Sequence, residues 1–98
     1  MSLFNTPLDD IRKEINNIDE EMLELFRKRM ALSQNLAYYK ASASLPIEDS
    51  KREFDKIRKA CIQLGSPYDK YAHIFMEGLF NSSKSFQNDT ISKEFYSE

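Results

Sequence analysis

The sequence predicts an all-α protein, built from one long helix and two shorter ones. Three observations carry that prediction. Apolar residues recur at alternating spacings of three and four along the first third of the chain. Prolines and glycines fall between the periodic segments, not within the first of them. Helix-end signals stand at the borders of these segments: Thr6-Pro7, Asp49 and Gly65.

The first element starts at Thr6-Pro7. Thr6 serves as N-cap, Pro7 takes the first helical position, and Asp9 and Asp10 sit near the positive end of the helix dipole. Leu8, Ile11, Ile15, Ile18, Met22, Leu25, Arg29, Leu32, Leu36 and Tyr39 then form a seam of the coiled-coil type. Asp9 with Lys13 and Glu24 with Lys28 are expected as i,i+4 pairs. No proline or glycine interrupts residues 8 to 45, so one helix is predicted from about residue 7 to about residue 41, roughly 50 Å long at ~1.5 Å per residue.

The segment ASASLPIED ends it, because Pro46 disfavours helix at Leu45. Asp49 or a neighbour caps a second helix, whose expected core face is Phe54, Ile57, Cys61 and Leu64. Gly65 is placed to terminate it and Pro67 to stop it. A third helix begins near Tyr68-Asp69, with Tyr71, Ala72, Phe75, Met76, Leu79 and Phe80 as its apolar stripe, and runs to about Gln87. The chain is expected to form one domain, with residues 1–6 as a leader and 88–98 as a polar tail that is frayed or helical for a turn or two.

Bulk composition bounds the function. The 98 residues are 41% hydrophobic and 31% charged, with 14 basic and 16 acidic side chains for a net charge of −2. That balance argues for a folded, soluble protein and gives no general case for binding nucleic acid or a membrane surface. A single cysteine, Cys61, forms no internal disulfide, which makes a cytoplasmic location the expectation. One histidine, His73, lies off the apolar stripe and has no cysteine near it in sequence. No metal-ligand spacing and no nucleophile–base pair follow.

The helix lengths carry a further expectation. The second and third helices together, about 16 and 19 residues, match the first in length. Laid against it they leave one side of the long helix apolar, so a chain this short has a poor core alone. Pairing two long helices across a two-fold axis closes that face, and an intertwined homodimer is predicted.

Cations interrupt the seam. Taken alone, Arg29 reads as a snorkelling or register-setting arginine. Lys40 follows eleven residues later, almost three whole turns, so both lie on nearly the same face about 16 Å apart along the axis. They can close on a small anion between them. Arg12 is about 25 Å from Arg29 and rotated by roughly a quarter turn. It cannot share a small ligand with Lys40 of its own chain, but in an antiparallel dimer it reaches the partner's site. Asp49, Arg52 and Glu53 gather at the start of the second helix, where capping and solvated charge also explain them. Ser83 and Gln87, one turn apart, continue the stripe of the third helix with a hydroxyl and an amide.

As a set, IRKEINNIDEEMLELFRKRMALSQNLAYYK, PIEDSKRE and SSKSFQ resemble the all-helical, AroQ-type chorismate mutases. The likeness covers about residues 8 to 87. It implies an intertwined helical dimer with two identical sites and no cofactor, rearranging chorismate to prephenate in the biosynthesis of phenylalanine and tyrosine. By motif, Arg12 of one protomer and Arg29 of the other look like the clamps on the carboxylates of a small dianionic substrate. Lys40 looks like the donor to the ether oxygen, with Gln87 as the second donor. Asp49 and Glu53 look like the acceptors that place the ring hydroxyl. Arg52 looks like an additional cation near the dianion, and Ser83 like a carboxylate contact, with Ser82 as the competing serine. Two other readings stand beside this one: an isochorismate-pyruvate lyase-like enzyme, and a helical dimerisation or regulatory module without catalysis. The acidic pair Asp49 and Glu53 favours the mutase. A fusion to another enzyme of the same pathway is also compatible with a chain of this length.

Overall fold

The computed structural model describes residues 6–93, and among these there are helices but no strand. Three helices follow in order: α1, Pro7–Ser42; α2, Ser50–Leu64; and α3, Asp69–Ile91. None is long and apolar enough to cross a membrane. The chain falls into two compact units, residues 1–31 and 32–98, which are described in turn.

The first unit is the N-terminal part of α1. Thr6 caps it as expected: the Asp9 backbone N–H donates to Thr6 Oγ1 at 3.1 Å, and the Thr6 N–H donates back to Asp9 Oδ2 at 3.3 Å. Reciprocal capping of this kind satisfies two donors that a helix start leaves without intrahelical partners. It also engages Asp9 with Thr6, where a pair with Lys13 was expected. Glu24 likewise pairs with Arg27, one turn on, and not with Lys28. The seam residues Leu8, Ile11, Ile15, Ile18, Met22 and Leu25 are all exposed in the single chain, by between 45% and 64%.

The second unit holds the end of α1 with α2 and α3, and α2 packs on α3. Its interior is small and mixed. Ala37, Ala72 and Phe80 are buried beside Ser33, Ser83, Gln87 and Thr90. On α1 the buried positions Ser33 and Ala37 flank the apolar seam, whose own residues Leu32, Leu36 and Tyr39 stay exposed. Small side chains let helices approach closely, so a face of serine and alanine packs inside the chain. The larger apolar face is left outward.

Two expected core faces are corrected by this arrangement. On α2, Phe54 and Leu64 are exposed, while Ile57 and Cys61 are half-buried. On α3, Tyr71 and Phe75 are exposed, Met76 and Leu79 are half-buried, and the buried line continues through Ser83 and Gln87 to Thr90. Period alone located the apolar faces but not what covers them. The third helix also runs one turn past Gln87, to Ile91, so the first residues of the expected tail belong to it. The rest of that tail, beyond residue 93, and the leader up to residue 5 lie outside the described residues.

The helix ends follow the local chemistry. Asp49 caps α2 through Oδ1, which accepts from the Arg52 backbone N–H at 3.1 Å. Gly65 closes it, donating its N–H to the Cys61 carbonyl at 2.9 Å. Gly65 has φ +67° and ψ −176°, a region that residues with a Cβ essentially never occupy. A Cβ there meets nothing within 4 Å, so substitution acts on the backbone alone. Gly65→Ala is expected to lower unfolding free energy by about 1–3 kcal/mol, read as a shift of the urea midpoint without a change of slope. An unchanged midpoint would show that the turn does not need glycine.

Candidate functional site

Six of the eight candidate site residues lie in the second unit, at the end of α1, the start of α2 and the latter half of α3. Lys40 stands in the last turn of α1, half-buried. Its Nζ donates to the Ile47 carbonyl at 2.7 Å. That bond folds the connecting segment back over the helix end and holds the ammonium in place. An ammonium has three donors, so two remain for a ligand. Ser44, in the same connection, takes the left-handed conformation at φ 56°.

Ser83 and Gln87 are the most deeply placed of the set, 7% and 3% exposed. Gln87 Nε2 donates to Ser83 Oγ at 3.0 Å. Ser83 Oγ also lies 2.8 Å from Ser33 Oγ, with either hydroxyl able to donate. Ser82, the competing serine, is only half-buried. Gln87 Oε1 is buried and has no hydrogen-bond partner among the described residues. Leaving a buried carbonyl oxygen unsatisfied costs about 1–3 kcal/mol. A half-turn of the amide would let a serine hydroxyl donate to Oε1 and put the NH2 where Oε1 now lies. Either orientation leaves one polar end of Gln87 for a ligand.

Ser33 belongs to this chain of bonds and was missed from sequence. The available signal was its spacing, four residues after Arg29 and seven before Lys40. That places it on their side of the helix.

The acidic pair divides in two. Asp49 is exposed and engaged as the cap of α2. Glu53 is half-buried, its side chain 18% exposed, and its Oε1 lies 3.0 Å from Lys84 Nζ. Lys84 also donates to Glu48 Oε1 at 3.1 Å. Lys84 is a second residue the sequence did not single out. Its partners are distant in the chain, so no spacing reveals the contact. Arg52 is exposed and borders, with Asp49, Lys51 and Lys56, a shallow groove of about 330 Å³ on the outer side of α2.

Arg12 and Arg29 lie in the first unit, on α1, with Arg12 exposed and Arg29 half-buried. His73 is exposed and its Nε2 sits 2.8 Å from Glu77 Oε1, the surface role expected of it. The Cys61 thiol donates to the Asp69 carbonyl at 3.2 Å, which ties α2 to the start of α3. Among the described residues no group of His, Cys, Asp and Glu is arranged to hold a metal ion.

Fold and cluster together define an all-helical domain. Its second unit holds a lysine at the end of α1, a half-buried glutamate at the start of α2 and a buried hydroxyl–amide pair on α3. Residues 11–88 match the family described as chorismate mutase type II, and the chain belongs to that family. The match spans every candidate residue, from Arg12 to Gln87. Over 57 residues the chain is 40% identical to the chorismate mutase of Methanocaldococcus jannaschii, covering 55% of this chain and 58% of that protein. Over 76 residues it is 36% identical to the bifunctional chorismate mutase/prephenate dehydratase of Aquifex aeolicus, covering 71% of this chain and 21% of that protein. The chain thus spans a little over half of the first relative's length and about a fifth of the second's. No solved structure matches it significantly.

Proposed function

We propose that the chain is a chorismate mutase, rearranging chorismate to prephenate without a cofactor, as a homodimer with two sites. The observation that carries this reading is the family match over residues 11–88, a span that includes every candidate residue. In the single chain the seam of α1 stays in water from Leu8 to Tyr39. Burying an apolar side chain of that size stabilises by about 1.5–3 kcal/mol, so a second copy has a strong reason to cover it.

The reaction is unimolecular. A C–O bond breaks as a C–C bond forms, and no proton moves to or from the protein. Two tasks remain for the side chains. One is to hold a flexible dianion in a compact conformer with its reacting carbons close. The other is to place donors where negative charge grows on the ether oxygen. Arg29 and the partner protomer's copy of Arg12 take the carboxylates, because a guanidinium binds a carboxylate through two parallel N–H bonds. Lys40 and Gln87 face the ether oxygen. Lys40 is prepositioned by its bond to Ile47, and Ser83 holds the end of the Gln87 side chain. Glu53 and Asp49 accept from the ring hydroxyl. Arg52 adds positive potential near the dianion, and Ser83 contacts a carboxylate. The same dimer fits a cytoplasmic enzyme, alone or fused to a neighbour in its pathway.

Purified protein mixed with chorismate, with the product identified, tests the proposal directly. Stoichiometric prephenate is expected. Release of pyruvate, or a folded dimer that leaves chorismate untouched, would overturn it.

A further inference from the structure

Lys84 is not among the residues assigned a role so far, yet it makes two side-chain ion pairs. Its Nζ reaches Glu53 Oε1 at 3.0 Å and Glu48 Oε1 at 3.1 Å. Glu48 belongs to the connection before α2, Glu53 to α2 and Lys84 to α3, so one ammonium joins three segments. The inner pair is sheltered: the Lys84 and Glu53 side chains are 23% and 18% exposed, against 65% for Glu48. Phe54, Ile57 and Phe80 line the same groove between α2 and α3, about 410 Å³ in volume.

We propose that Lys84 is a positioning residue for Glu53: it fixes Oε1 and so presents Oε2 as the acceptor for the substrate's ring hydroxyl. This rests on the mutase reading of Glu53. A glutamate on the first turn of a helix has three side-chain torsions and swings freely unless tied. Ser50, His73, Glu77 and Asn81 also line this groove, and Lys84 is the residue of the lining that is bonded to the Glu53 carboxylate. A carboxylate has two oxygens, and a cation on one of them fixes where the other points. Lys84 neighbours Ser83, whose hydroxyl holds Gln87. Adjacent residues on α3 point about 100° apart, so Ser83 supports Gln87 on the buried side while Lys84 holds Glu53 on the α2 side. Glu48 gives the ammonium a second anchor, so Glu53 is not its sole partner.

The hydrogen bonds to Glu53 and then to Glu48 hold the Lys84 pKa above its ordinary 10.5, against the opposing effect of burial. The sign is that of a cation gaining partners. The stabilisation is complete below pH 10.5 and is lost as pH rises through the higher folded value. The tie is therefore intact throughout the neutral range.

The test compares initial rates of chorismate loss for the wild type, K84M, K84R, E53Q and the double variant K84M/E53Q. K84M is expected to lower kcat/KM by about 10–100-fold, the range for a lost bond to a charged group. K84R restores the cation and is expected to recover most of that loss. In the E53Q background, K84M is expected to add almost nothing, because a residue acting through Glu53 has nothing left to position. An ion pair that only ties α2 to α3 would instead let K84M lower the melting temperature of the otherwise wild-type chain and leave KM and kcat alone. Losses that multiply in the double variant, or an unchanged kcat/KM for K84M, would overturn the assignment. Should K84M fail to fold, K84Q is read by the same cycle. A wild type that does not consume chorismate overturns the mutase reading itself, before any substitution is made.

Discussion

Lys40→Ala is expected to lower kcat by about 10²–10³-fold, the loss typical of removing one donor from a developing oxyanion, while the helices stay folded. The expectation comes from where Lys40 spends its bonds. One N–H holds the Ile47 carbonyl at 2.7 Å, and the others have no competing acceptor among the bonds described. Removing the side chain leaves that carbonyl to solvent in a largely exposed connection, so the structural cost is small. Helical circular dichroism and the melting temperature should stay close to those of the wild type. Lys40→Arg separates charge from geometry, because a planar, forked guanidinium cannot take the place of a compact ammonium. It is expected to recover only a part of the rate. A near-normal kcat for Lys40→Ala would remove the lysine from the ether-oxygen role.

The second large effect appears on mixing two crippled chains. Arg12→Ala and Arg29→Ala are each expected to lose about 10–100-fold in kcat/KM, as for any lost bond to a charged group. Both residues lie on α1 within the first unit, ~25 Å apart at ~1.5 Å per residue, too far to grip one small dianion from a single chain. Refolding the two variants together should restore activity. Half of the dimers are then mixed, and each mixed dimer holds one site with both arginines, so about a quarter of wild-type activity returns at equal stoichiometry. A mixture no better than the average of its components would show that Arg12 and Arg29 do not meet across a two-fold axis. Sedimentation of the wild type completes the experiment, because a monomer admits no such rescue.

Much of the fold was legible because its punctuation is chemical and local. Thr6, Pro7, Asp49 and Gly65 act on their own backbone neighbours and sit at the helix ends where they were read, and Pro46 lies in the connection between α1 and α2. Faces were harder. The pattern in α1 located its apolar seam, but the interior of the second unit is built on Ser33 and Ala37 beside that seam. Hydropathy ranks leucine above serine. Close approach between helices favours small side chains, and volume decided here. On the other helices Phe54 and Phe75 likewise stay exposed while Thr90 is buried.

The site was legible as residue types at fixed spacings within one helix. Lys40, Ser83 and Gln87 show through spacing, and the structure joins Ser83 to Gln87 as the one-turn separation suggested. Bonds between helices left no such trace. Lys84 lies 36 residues from Glu48, and Ser33 lies 50 from Ser83. Sequence distance carries no information about which ammonium meets which carboxylate, so the supporting bonds required coordinates.

The run from Ser33 through Ser83 to Gln87 is a short line of rotors. Either serine hydroxyl can be the donor in their shared bond, and the amide at the end can present its oxygen or its nitrogen. Reversing the line needs two O–H rotations and one amide turn, with every backbone atom at rest. In the proposed site the polarity of this wall would therefore be set by the ligand, with an oxygen that gathers charge selecting the order that points a proton at it. Serine to alanine at position 83 would cut the line at its middle and leave two buried polar groups facing a methyl.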